Sequence, residues 1–244
     1  MVKVGNEGVT PRHTHQSLLD GCGGLLGGLL VCDGLRAVKS GVTTNRDTYH
    51  HGDLRRAVIK AGFESVEQGA EITLRGLARQ VGVNHRAVAR EFLDLRGVRA
   101  ALSAEVLAAL RAELLKVDVS DKPLRKALLA LAVCYARFGV EHHARYGLLF
   151  GPRLNTDGRH PELEVGFQGI FEPFHGILRQ GIKQGQLRQH DVFAETLKLG
   201  AAVHGFVHLT CLGRWEIPPG ELESWAHHFV VLPVDGLLMR LKAE

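Results

Sequence analysis

The sequence predicts an all-α protein, with a small three-helix head over 48–96 followed by a larger helical body over 97–244. Three observations carry this. Apolar residues recur at intervals of three and four over most of the chain beyond residue 50. Residues that cap helices stand where this periodicity stops and restarts. Alternation of apolar and polar residues is scarce, and no Asn-Gly or Asp-Gly hairpin joins two β-branched runs.

In the head, Leu54, Val58, Ala61, Phe63 and Val66 form one apolar face, with Arg55, Arg56, Lys60, Glu64 and Glu67 on the other. This first helix stops near Gly69. Thr73 caps a second helix whose buried stripe is Leu74, Leu77, Ala78 and Val81, and Gly82 supplies the left-handed residue that a sharp exit needs. Asn84 caps a third helix. Its Val88 and Phe92 face inward, and His85, Arg86, Ala89 and Arg90 face out.

The body divides by the same criteria. Helices are expected at 95–117 and 123–139, with a short one near 141–150, and then, after a loop at 151–160 rich in Gly, Pro, Asn and Asp, at 161–185, 191–213 and 219–242. At about 145 residues it is long enough to bury a core of its own.

Two short helices joined by a glycine turn make a helix-turn-helix, whose second helix lies in the DNA major groove with its N-terminal residues at the base edges. Arg86 and Arg90 carry the chemistry. An arginine fork either bonds two guanine acceptors or holds a phosphate, and both roles stay open for each. Backbone N–H groups at the start of the first helix, near His51, Gly52 and Asp53, are suited to a phosphate. The charge is distributed accordingly. Residues 49–99 hold nine Lys and Arg against six Asp and Glu, whereas 100–244 hold sixteen of each, so three of the chain's formal net +4 charges sit in the head.

The run YHHGDLRRAVIKAGFESVEQGAEITLRGLARQVGVNHRAVAREF resembles the N-terminal domain of the TetR (tetracycline-repressor-like) family of regulators. A further run, Ala202-Val203-His204-Gly205, resembles the Trp-then-His-Gly helix of the effector domain in one subgroup of that family, the WHG type. The resemblance implies a cytoplasmic, homodimeric, ligand-responsive transcriptional regulator, most often a repressor released from a palindromic operator by a small hydrophobic effector. The DNA-facing set it implies is His51, Gly52, Thr73, Asn84, His85, Arg86, Ala89, Arg90 and Arg96. Three positions depart from the family pattern. Ala89 stands where many relatives have a phosphate-contacting tyrosine, Leu95 stands for a lysine at the start of the fourth helix that Arg96 or Arg99 can replace, and Gly200 falls near the subgroup's tryptophan.

In the body, aromatic residues converge on a candidate effector pocket between the middle helices: Phe138, Tyr146, Phe150, Phe167, Phe171, Phe174 and His175. Small and apolar residues on the last two long helices suggest a dimer interface, comprising Leu197, Gly200, Ala201, His204, Gly205, His208, Leu212, Trp225 and Phe229, with Leu232 and Leu237 adding apolar area. His204 and His208, with His142-His143 and His227-His228, offer donors for a zinc site, but neither Cys-x-x-Cys nor HExxH accompanies them, and no metal or cofactor is expected. The alternative to a regulator is a helical small-molecule-binding or metal-binding protein with a degenerate head.

Enzyme activity is not expected. A GxSxG elbow and a phosphate-binding Gly-x-x-x-x-Gly-Lys loop are absent, and the glycine-rich stretch at 21–28 follows no strand. Cys22, Cys32, Cys134 and Cys211 form neither a disulfide framework nor a metal motif, as expected of reduced cytosolic thiols. Residues 1–47 match neither part of the family pattern, and 18–31 is too short and too interrupted by Asp20 for a membrane span. A poorly ordered or wrongly assigned extension is the expectation there.

Overall fold

Nine α-helices and one 3₁₀ turn make up the described part of the computed structural model, residues 51–242. The expectations for 1–47 lie outside it. The head contains α1 (His51–Glu67), α2 (Leu74–Val81) and α3 (His85–Phe92). The body contains α4 (Leu95–Lys116), α5 (Leu124–Glu141), the short α6 (His143–Tyr146) with a 3₁₀ turn at Gly147–Phe150, α7 (Pro161–Lys183), α8 (Val192–Cys211) and α9 (Leu222–Leu241). No strand forms among the described residues, and only an isolated bridge joins Leu187 to Lys242.

Two apolar clusters organise these helices, and α4 belongs to both. Val98, Ala101 and Leu102 close the head around Leu54, Val58, Leu77, Val88 and Phe92. Val106, Leu107, Leu110 and Leu114 instead pack into the body with Leu128, Leu131, Ile170, Leu178, Val203 and Phe206. A helix flanked on opposite sides needs two apolar faces, which explains why Val98 and Ala100–Ser103 are buried almost without interruption. The body's layers follow from close pairings of α4 with α7 and of α5 with α8 and α9.

Polar contacts orient what the cores hold. Arg55 pairs with Glu91 at 3.6 Å and lies 5.0 Å over the Phe92 ring, tying α1 to α3. Arg145 pairs with Glu67 and stands 4.6 Å over Phe63, tying α6 to α1. A two-pronged contact from Arg125 to Asp235, at 2.5 and 2.9 Å, joins α5 to α9.

The junction between head and body is tight. Leu93 takes a positive φ of +67° with ψ −56°, uncommon for a side chain of its size, in a tight turn where Asp94 N donates to Phe92 O at 2.8 Å. Asp94 then caps α4, its Oδ1 accepting from Gly97 N at 2.8 Å. A Cβ on Gly97 would stand 2.0 Å from the Phe92 carbonyl oxygen, so only glycine lets α4 begin this close to the end of α3.

Replacing Gly97 by Ala is therefore expected to destabilise the protein by about 1–3 kcal/mol and to shift α3 relative to α4. Urea unfolding combined with amide exchange over 85–102 measures both effects, and unchanged values would refute the contact.

Candidate nucleic-acid interface

The turn before α3 is built by three short-range contacts. Thr73 caps α2, its hydroxyl accepting from Gly76 N at 3.0 Å. Gly82, at φ +77°, reverses the chain while Val83 N bonds Ala78 O at 2.9 Å. Asn84 Oδ1 accepts from Arg86 N at 2.9 Å and starts α3. With Val88 and Phe92 buried, the orientation of α3 is set, and Asn84, His85, Arg86 and Arg90 are exposed beside a half-buried Ala89.

Arg86 and Arg90, one turn apart, form no ion pair among the described residues, which leaves both guanidinium groups available to an anionic partner. The same holds for Arg75 and Arg79 on the exposed side of α2, which the sequence reading did not single out; their i, i+4 spacing was the available signal. Arg96 is placed differently. It donates to Thr156 Oγ1 at 2.9 Å and pairs with Asp157 in the loop before α7. His51 and Gly52 lie in the first turn of α1.

The candidate pocket residues do not share one cavity: two line one space, two another, and the remaining three line neither. Phe150 and Phe167 line a cavity of about 390 Å³ bounded by α4, the 3₁₀ turn, the loop 151–160 and α7. Phe171 and Phe174 border a void of only about 10 Å³ with Tyr135, Thr196 and Val203, too small for more than a water molecule. Phe138 and Tyr146 are buried in the body core. His175 is buried beside Phe171, with its Nδ1 3.4 Å from Glu172.

Along α8, Phe193, Leu197, Ala201, His208 and Leu212 are exposed on one side. Phe229, Leu232 and Met239 are exposed on α9, with Trp225 half-buried. Phe193 and Met239 were not anticipated. Leu237 is buried in the core. Gly200 is turned toward α7, where a Cβ would meet Phe171 at 2.9 Å.

His204 is half-buried at the edge of this face, 3.0 Å from Tyr146 Oη and stacked on Phe150 at 3.8 Å between ring centroids. Burial, reinforced by neighbouring His208, holds its pKa below the ordinary value of 6.5, while burial pushes the Tyr146 and Tyr135 phenols upward. No group of three or more His, Cys, Asp or Glu is gathered as a metal site among the described residues, and no helix there is long and apolar enough to cross a membrane. Cys134 and Cys211 are free thiols.

A helix-turn-helix head joined through one long helix to a helical body is the architecture of the TetR-like fold. Residues 128–232 match the family model described as the tetracyclin repressor-like, C-terminal domain. A protein of unknown function from Rhodococcus sp. RHA1 shares 24% identity at a TM-score of 0.62, covering 80% of this chain and 99% of its own. The TetR family transcriptional regulator PfmR from Thermus thermophilus shares 23% at 0.52, covering 73% and 94%. A regulatory protein in the TetR family from Rhodococcus RHA1 shares 17% at 0.54, covering 75% and 95%. No curated protein matches the sequence.

His204 generates a pH prediction. Its proton is bound less tightly in the folded than in the unfolded chain, so stability falls as pH drops through and below the ordinary value. Replacing His204 by Gln is expected to flatten the change in urea midpoint between about pH 7 and pH 5. An unaltered slope would remove His204 from the account.

Proposed function

We propose that this chain is a homodimeric DNA-binding transcriptional regulator that responds to a small hydrophobic effector, with 48–96 as the DNA-binding part and 97–244 as the effector-binding and dimerisation part. The observation that carries this reading is the capped α2–turn–α3 unit, which holds Arg86 and Arg90 exposed and without an ion pair among the described residues. The matched family model and the fold shared with TetR family regulators support it. His204-Gly205 on α8, within the matched segment, supports the WHG-type subgroup, and regulation of transcription implies a cytoplasmic location.

The second helix of such a unit enters the major groove, so a twofold dimer addresses a palindromic site about one helical turn apart. The exposed apolar stripe of α8 and α9 is the surface for that pairing, and two helices from each subunit would form a four-helix bundle. Effector binding alters DNA affinity only by favouring one arrangement of the paired heads over another. Repression, with release by the effector, is the regulatory sense this reading adopts.

A second reading, a small-molecule-binding protein with a degenerate head, is favoured by Ala89, by Leu95 and by the internal commitment of Arg96 to Asp157. Binding to the chain's own upstream DNA decides between them. Under the first reading the complex forms and weakens steeply as salt is raised, and Arg86→Ala or Arg90→Ala each costs about 1–3 kcal/mol. No shift at low salt would favour the second.

The dimer is checked separately. Leu232→Glu is expected to convert the protein to monomer by light scattering at micromolar concentration and to lower operator affinity at least about tenfold. A wild type that is monomeric under those conditions would refute the assembly.

A further inference from the structure

We propose that the cavity beneath the loop 151–160 is a binding site for an uncharged, largely aromatic molecule with a hydroxyl end, and that this loop is its lid, clasped to the start of α4. The proposal deepens the regulatory reading above and rests on it only for the consequence at the head. At about 390 Å³ the space falls within the range that holds small organic ligands. Its walls are mainly Leu148, Phe150, Leu154, Leu163 and Phe167.

Polar groups define the ligand's character. Ser103 of α4 lines the cavity and is 2% exposed. Its hydroxyl donates to Leu148 O at 3.2 Å, so its oxygen retains acceptor capacity for a ligand O–H. The two charges on the rim, Arg153 and Glu164, face each other at 3.9 Å, and Asn155 donates to Glu164 at 2.5 Å. With these charges balanced against each other, a ligand ion would gain no net partner, and its desolvation would go uncompensated.

The lid is held by four alternating charges. Asp157 pairs with Arg96 and, at 2.7 Å, with Arg159, and Arg159 reaches Asp94 at 3.3 Å. Inside the loop, Asn155 Oδ1 accepts from His160 N at 2.9 Å. All four charged side chains are partly exposed, between 28% and 46%, so the pairs are individually weak and screened by salt. Such a clasp holds the loop without sealing it. Its anchor points matter: Asp94 caps α4 and, with Leu93, forms the joint that follows the candidate recognition helix, and Arg96 lies in α4's first turn. Lifting the lid releases Arg96 and uncouples Arg159 from the α3–α4 joint.

The experiment uses the full chain with 2-naphthol as probe, alongside naphthalene, 2-naphthoate and 2-naphthylmethylammonium. Saturable 2-naphthol binding is expected, with both charged analogues at least about tenfold weaker. Leu154→Trp, which fills the space from the lid, should weaken binding at least about tenfold. Should that variant misfold, Ser103→Ala serves instead: it should weaken 2-naphthol about fivefold relative to naphthalene. Asp157→Asn should raise both association and dissociation rates at least about threefold in stopped flow, with Kd nearly unchanged.

Absence of saturable binding, preference for a charged analogue, or indifference to both Leu154→Trp and Ser103→Ala overturns the site. Unaltered rates in Asp157→Asn overturn the lid. DNA binding by a protein that ignores 2-naphthol would sink this site alone, whereas 2-naphthol binding by a protein that never binds DNA would sink the regulatory reading and leave the site standing.

Discussion

The double burial of α4 is the constraint on which the remainder of the structure depends. One face of its N-terminal half completes the head through Val98, Ala101 and Leu102, and its continuation through Leu107, Leu110 and Leu114 runs into the body. Neither core closes without it. Close packing on both sides leaves the helix little freedom to slide against one partner while staying fixed to the other. The contact of Gly97 with Phe92 tightens this further, because α3 ends directly against the first turn of α4.

From that arrangement a physical route between body and head can be read. The head side of α4 carries Asp94 as cap and Arg96 as an ion-pair donor, and both reach the loop 151–160, which closes over a cavity also lined by Ser103. A second tie runs from α6 through Arg145 to Phe63 and Glu67 of α1. Coupling between distant sites requires an element with two arrangements that both sites bias. The helix shared by two cores, held at its start by a weak ionic clasp, has the connections for that role.

The surface divides into regions with different physics. On the head, exposed arginines on α2 and α3 concentrate positive charge on the outward side of these two helices. On α8 and α9, Phe193, Leu197, Leu212, Leu232 and Met239 leave apolar area on the outside, which in water favours association. Phe150 stacks on His204, so that one aromatic side chain belongs both to the cavity wall and to the edge of the apolar face.

Much of the architecture was legible in the sequence because it is written in local rules. Thr73, Gly82 and Asn84 act within four residues of themselves, through a cap, a left-handed turn and a cap, and the helical periodicity of Val88 and Phe92 decides which side of α3 faces out. The helix limits in the body follow for the same reason, with small shifts at the ends. What sequence left undetermined depends on contacts between distant residues. The candidate pocket aromatics share a composition but not a place: Phe150 and Phe167 reach one cavity, and Phe171 and Phe174 another, far smaller one. Arg96 has two acceptors, Thr156 and Asp157, some sixty positions along the chain, and Gly97 is required by a carbonyl that only the α3–α4 joint brings near. Periodicity specifies which side of a helix is buried, but what lies against that side is settled only when the helices pack.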